Sequence, residues 1–206
     1  MTSKSKNSLA CGAILIALSL LTSQVNAHIP LPPKKGEIGR RETNLAAPAF
    51  TLTNQDGKKF SFKPASGKFV LVTFVYTTCP DVCPLFSAHF AAIQRALDEE
   101  KRENYLLLTI STDPKRDTPA KMKAYSEAFK ADVRHWQFLT GTQKDLSAVW
   151  KSFGVNVKDH GNGQIQHTNL TTLIDTNGMR RVDYYGDKWL VKEVVKDIKW
   201  LESQKS

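Results

Sequence analysis

Two cysteines with three residues between them, Cys79 and Cys83, stand in the segment FVYTTCPDVCPLFSAHF (74–90), and each is followed at once by proline. A residue before proline is biased away from helical backbone. Cys79 is therefore expected in a loop, and Cys83 at the cap of a helix that Pro84 begins. The positive end of a helix favours thiolate and lowers the pKa of a nearby cysteine. Thiolate is both the nucleophile of disulfide exchange and the metal-binding form. Three chemistries are open to the pair: a redox couple, a metal site, or an inert structural disulfide. The last is the weakest, because so short a ring beside a rigid strand restricts the unfolded chain little.

A metal site needs a third ligand, and the chain offers five histidines. His28 belongs to a proline-rich stretch, where a free amine and imidazole could chelate copper. His89 falls on the helix after the cysteines and His135 just before a strand, both ordinary packing positions. His160 and His167 remain, in a glycine-rich segment. His167 immediately precedes TNLTTLID, a strand expected beside the one that ends at Cys79, so His167 is the predicted ligand and His160 the reserve. Two thiolates and an imidazole suit copper, with Cu(I) held by the sulfurs and Cu(II) helped by the nitrogen. Structural zinc would recruit a fourth protein ligand. Asp81 alone is near in sequence, and its simpler role is to shape the turn between the cysteines.

The elements that must hold these residues read as an alternating pattern. FTLTNQDGKKFSF (50–62) is a hairpin around Asp56-Gly57. KFVLVTFVY (68–76) is a strand buried on both faces. Helical spacing runs through 84–101, with Leu85, Phe86, Phe90, Ile93 and Leu97 on one stripe. YLLLTIS (105–111) is a second buried strand, and Pro119 opens a helix to Phe129. WQFLTG (136–141) is a third strand, followed by a helix that Thr142 caps and Gly154 ends. VKDHGNGQIQ reads as a loop. A second hairpin turns at Thr176-Asn177-Gly178, and DKWLVKEVVKDIKWLESQ is a closing amphipathic helix. This order predicts one mixed sheet flanked by helices, an α/β thioredoxin-like fold with an extra N-terminal β-hairpin.

The ends and the charge narrow the setting. Lys4 and Lys6, the apolar run 9–21 and Val25-Asn26-Ala27 form a signal peptide over residues 1–27, too short in its apolar part to span a bilayer comfortably. Cys11 would be discarded with it. Residues 28–47 read as a linker, and 48–206 as one domain. The formal net charge of +9 is scattered, without aromatic interleaving or a basic helix. Such a surface suits an anionic membrane face or an acidic partner, and nucleic acid is not expected for an exported chain.

PAFTLTNQDGKKFSF, FVYTTCPDVCP, STDPKRDTPAKMKAY and HTNLTTLIDTNG, in this order, resemble the Sco/SenC family of exported copper-binding proteins with a thioredoxin fold. The resemblance implies Cys79, Cys83 and His167 as copper ligands. It also implies a periplasmic metallochaperone, without turnover of its own, that delivers copper to the binuclear centre of cytochrome c oxidase or reduces that centre's cysteines. One departure is Gln166, where family members often have Asp before the histidine. Family members are commonly anchored in the membrane, whereas this leader reads as cleavable. The alternative is a thiol–disulfide oxidoreductase that cycles Cys79 and Cys83. Against it, QHTNLTT lacks the proline that such exchangers usually carry before the facing strand. A peroxiredoxin-type peroxidase is disfavoured because FVYTTC lacks the proline and the Thr or Ser of that pattern. DPKRDTP is expected to be a structural loop whose Asp and Thr cap the next helix.

Overall fold

The computed structural model describes residues 39–204. The predicted signal segment, Cys11 and His28 lie outside these residues. In chain order the elements are β1 (Gly39–Ala46), β2 (Phe50–Asn54), β3 (Lys59–Phe62), β4 (Phe69–Val75), α1 (Val82–Glu99), β5 (Tyr105–Ser111), α2 (Pro119–Ala128), β6 (Trp136–Thr140), α3 (Gln143–Phe153), β7 (Val157–Asp159), β8 (Ile165–His167), β9 (Leu170–Ile174), β10 (Met179–Tyr185) and α4 (Val191–Ser203).

Eight strands form one mixed sheet in the order β1-β10-β9-β4-β5-β6-β2-β3. β4, β5 and β6 run parallel, each followed by a helix. β9 pairs antiparallel with β4, Thr171 opposite Thr73. Every residue of β4 and of β9 is buried, as apolar strands in the middle of a covered sheet must be. Alternation divides the core. Phe69 and Leu71 of β4 pack on one face with Phe86, Phe90 and Ile93 of α1 and Val194, Ile198 and Leu201 of α4. Val70, Val72 and Phe74 face the opposite side, with Leu146, Val149, Trp150 and Phe153 of α3. The fold is thioredoxin-like, as the sequence predicts.

Three elements differ from expectation. Gly39–Ala46, within the stretch read as linker, is an edge strand on β10. Its anchor is Arg40, whose Nε and Nη2 donate to Asp197 of α4 at 2.8 and 2.9 Å, while Tyr184 donates to the same carboxylate at 2.6 Å. One long-range ion pair of this kind leaves no periodic signal. The segment read as a glycine-rich loop is the β7–β8 hairpin, a two-stranded sheet of its own in which Val157 faces His167. It is too short, and its turn too rich in glycine, for alternation to stand out. Finally, α1 begins two residues early, so Cys83 lies inside its first turn instead of at the cap. Proline at the third helical position removes no hydrogen bond, because the first four N–H groups of a helix have no intrahelical partner.

The predicted turns hold. Asp175 Oδ1 accepts from the N–H groups of Asn177 and Met179, both at 2.9 Å, and closes the β9–β10 turn. Gly178 there has φ +84, and a Cβ would meet the Ala65 nitrogen at 2.8 Å, so only glycine fits.

Candidate thiol and metal site

The site lies at the carboxyl end of β4, where the sheet edge between a strand and its following helix commonly carries chemistry. β4 ends in Val75 and the chain turns at once, with the Cys79 N–H donating to the Tyr76 carbonyl at 3.2 Å. The turn delivers Cys79 to the start of α1. Cys79 is 7% exposed and Cys83 0%. Val75, Tyr76 and Ile165 complete the apolar nest around them, with Tyr125 and Val157 packed against it. Both sulfurs are free thiols.

The two sulfurs are chemically unequal. Cys79 receives a hydrogen bond from the Cys83 thiol, which outweighs the cost of its own burial. The N–H groups of Asp81 and Cys83 and the Tyr76 hydroxyl also point to it, and its pKa falls to about 6. Burial, together with the thiolate beside it, pushes Cys83 well above the usual thiol range. Cys79 is therefore the resident thiolate and Cys83 its donor. The N–H groups at the start of α1 add the helix N-terminus effect expected from the sequence to the larger contribution of the Cys83 thiol. Asp81 gives this turn its backbone N–H, and its side chain makes no cap.

His167 closes β8 and is fully buried. Its ring meets that of Tyr76 edge-on at 6.3 Å, so Tyr76 touches both Cys79 and the histidine. Nδ1 lies 3.1 Å from the Thr168 carbonyl. A carbonyl can only accept, so Nδ1 carries the proton and Nε2 the lone pair, the tautomer that metal-binding histidines usually adopt. Even so, among the described residues no three His, Cys, Asp or Glu side chains gather closely enough to hold a metal ion. The structure places the thiol pair and His167 at one end of the sheet, with Tyr76 in contact with both.

The other histidines separate clearly. His160 is exposed in the β7–β8 turn, its Nε2 3.2 Å from Gln166 Oε1. His135 stacks on Tyr105 at 4.7 Å and lies 3.1 Å from Glu103, at the opposite end of the parallel strands. His89 packs edge-on against Trp189 at 4.7 Å.

Sequence reasoning missed the residues behind the cysteine turn. In DPKRDTP, Thr118 does cap α2, its hydroxyl accepting from the Lys121 N–H at 3.3 Å. Asp117 does not cap. It is fully buried, and its side chain accepts from both the backbone and the hydroxyl of Thr77. Arg116 donates to Asp113 and lies 6.0 Å from the Tyr76 ring centroid, and Lys115 pairs with Asp159 of β7 at 2.8 Å. The motif thus contacts both the cysteine turn and the hairpin that carries His167. Two aspartates within five residues next to a buried strand were the available signal, but capping explained them equally well.

A family model described as SCO1/SenC matches residues 39–203. The chain belongs to the SCO1/SenC family. It is 33% identical to a SCO1/SenC family lipoprotein from Bacillus anthracis str. Ames, whose crystal structure matches with a TM-score of 0.72 over 79% of this chain and 98% of that one. Bradyrhizobium japonicum ScoI, solved with copper bound, is 34% identical with a TM-score of 0.64 over 76% of this chain and 99% of its own. A structure of BsSco, a member of the Sco family of cytochrome c oxidase assembly proteins in which a disulfide switch was identified, is 28% identical with a TM-score of 0.68, covering 79% and 96% of the two chains. Among the described residues no helix is long and apolar enough to cross a membrane.

Proposed function

We propose that this protein is an exported copper metallochaperone that binds copper through Cys79, Cys83 and His167. It delivers that copper to the binuclear copper centre of cytochrome c oxidase, or prepares the cysteines of that centre to receive it. The observation that carries the reading is the pairing of a resident thiolate, Cys79, with a donor thiol, Cys83, at the sheet end where His167 presents Nε2. Cu(I) accepts two soft sulfur ligands and needs no more. Cu(II) prefers the added imidazole. The copper-bound ScoI and the role of BsSco in oxidase assembly support the same assignment. We further read residues 1–27 as a cleaved signal peptide, 28–47 as the link to the domain, its part Gly39–Ala46 paired as β1, and the periplasm as its compartment.

Copper is cargo here, so the residues have distinct duties. Cys79 offers its sulfur as thiolate at neutral pH. Cys83 gives up its proton when the second sulfur binds. The Thr168 carbonyl holds His167 in the tautomer that leaves Nε2 for metal. Oxidation of the pair to a disulfide would consume both sulfurs and end copper binding.

The second reading, a thiol–disulfide oxidoreductase, is favoured by one observation: a thiolate with a pKa of about 6 beside a buried partner thiol is the arrangement of an exchange couple. A deletion strain separates the two. Loss of the gene should lower cytochrome oxidase activity, and added copper should restore part of it. His167→Ala should fail to complement even though its thiols are intact. Full complementation by His167→Ala, with none by Cys79→Ser, would assign thiol exchange instead.

A further inference from the structure

The loop between β5 and α2 holds the cysteine turn from behind. Asp117 on this loop accepts two hydrogen bonds on one oxygen: Oδ1 takes the Thr77 N–H at 3.1 Å and the Thr77 hydroxyl at 2.7 Å. Oδ2 takes the Ser111 hydroxyl at 2.5 Å. The main chain that carries this carboxylate is also held, because Thr140 Oγ1 donates to the Asp117 carbonyl at 2.6 Å and the Asp117 N–H donates to the Asp113 carbonyl at 2.9 Å. On the cysteine side, Thr77 lies inside the turn that the Cys79 N–H closes on Tyr76. Just before it, Thr112 donates to the Val75 carbonyl through its N–H at 2.7 Å. A fully buried carboxylate is costly to desolvate, and a turn of this kind can be built without one. Both bonds on Oδ1 go to the residue two positions before Cys79.

We propose that Asp117 is a positioning residue for the cysteine pair: by gripping both hydrogen-bond donors of Thr77, its N–H and its hydroxyl, it fixes the turn from which Cys79 faces Cys83. The distance between the sulfurs governs two reactions at once. One is closure of the disulfide, in which the Sγ–Sγ bond forms as the disulfide bond of oxidised glutathione breaks. The Cys79 thiolate and the Cys83 thiol give up two electrons in total, Cys83 gives up its one proton, and one glutathione thiol and one glutathione thiolate leave. The other is two-sulfur coordination of Cu(I). The proposal rests on the two cysteines acting as a pair, and needs no metal to be tested.

The protein and four variants are equilibrated with reduced and oxidised glutathione, trapped by alkylation and read by mass spectrometry. Asp117→Ala removes the grip and is expected to weaken the intramolecular disulfide about tenfold, equivalent to about 30 mV. Thr77→Val keeps the N–H bond and loses the hydroxyl bond, so it should cost about threefold. Asp117→Asn should stay within about twofold of the unmodified protein, because an amide oxygen can take both Thr77 bonds. Ser111→Ala should lower the urea midpoint while leaving the thiol equilibrium within about twofold, since it removes the bond to Oδ2 and the one from the Asp113 N–H but leaves both Thr77 bonds in place. Where Asp117→Ala does not fold, Thr77→Val decides. The proposal is overturned if the decisive variant leaves the equilibrium unchanged, if Asp117→Asn moves it as far as Asp117→Ala, or if Ser111→Ala moves it as far as Thr77→Val. Should the unmodified protein release all copper to a chromogenic Cu(I) chelator, the metallochaperone reading fails, and the thiol equilibria still report on Asp117.

Discussion

Cys79 and Cys83 share a motif but not an environment. Cys79 collects the donors and stays partly open to solvent, while Cys83 is sealed beneath it. This asymmetry predicts the order of their reactions. At pH 7 iodoacetamide should label Cys79 first, with Cys83 slower by about tenfold or more, because the thiolate and not the thiol is the nucleophile. Peptide mapping after brief alkylation checks it, and equal labelling of both would contradict the assignment of the resident thiolate. Spacing and the two prolines made the pair legible in the sequence. Which sulfur holds the charge was not, since that depends on which thiol donates to the other and on where the first N–H groups of α1 point. Tyr76 was likewise invisible as a site residue, because a tyrosine ending an apolar strand reads as core.

At the scale of elements, the strands and helices with strong periodicity were readable and those held by single contacts were not. β4, β5 and β9 declare themselves as runs of β-branched and apolar residues, and the capping threonines fix the starts of α2 and α3. β1 depends on Arg40 meeting Asp197, a pairing across 157 positions that no local pattern reports. α1 adds a pH response. His89 is half-buried against Trp189, and that burial lowers its pKa below 6.5. The unfolded chain then binds the proton more readily, so stability present above pH 6.5 is lost as pH falls from there to the folded-state pKa. His89→Phe keeps a ring against Trp189 and removes the titration. Its urea midpoint should therefore fall less than that of the unmodified protein between pH 7.5 and 5, and identical slopes would contradict this account.

In the molecule as a whole, the topology does the gathering. β9 running antiparallel to β4 brings the start of one strand to the end of the other, which is why a histidine 84 positions after Cys83 in the sequence reaches the same sheet end. The sequence order of strands was enough to predict that neighbourhood, but not the β7–β8 hairpin that carries His167 or the DPKRDTP loop that contacts it through Lys115 and Asp159. The central claim is that this end of the sheet holds copper on its two sulfurs. Copper quantification on the fully reduced protein, after washing with a weak chelator, tests it most directly. The account predicts about one copper per chain, almost none in Cys79→Ser or Cys83→Ser, and little in the disulfide form. Copper retained equally by Cys79→Ser, or absent from the reduced unmodified protein, would contradict it.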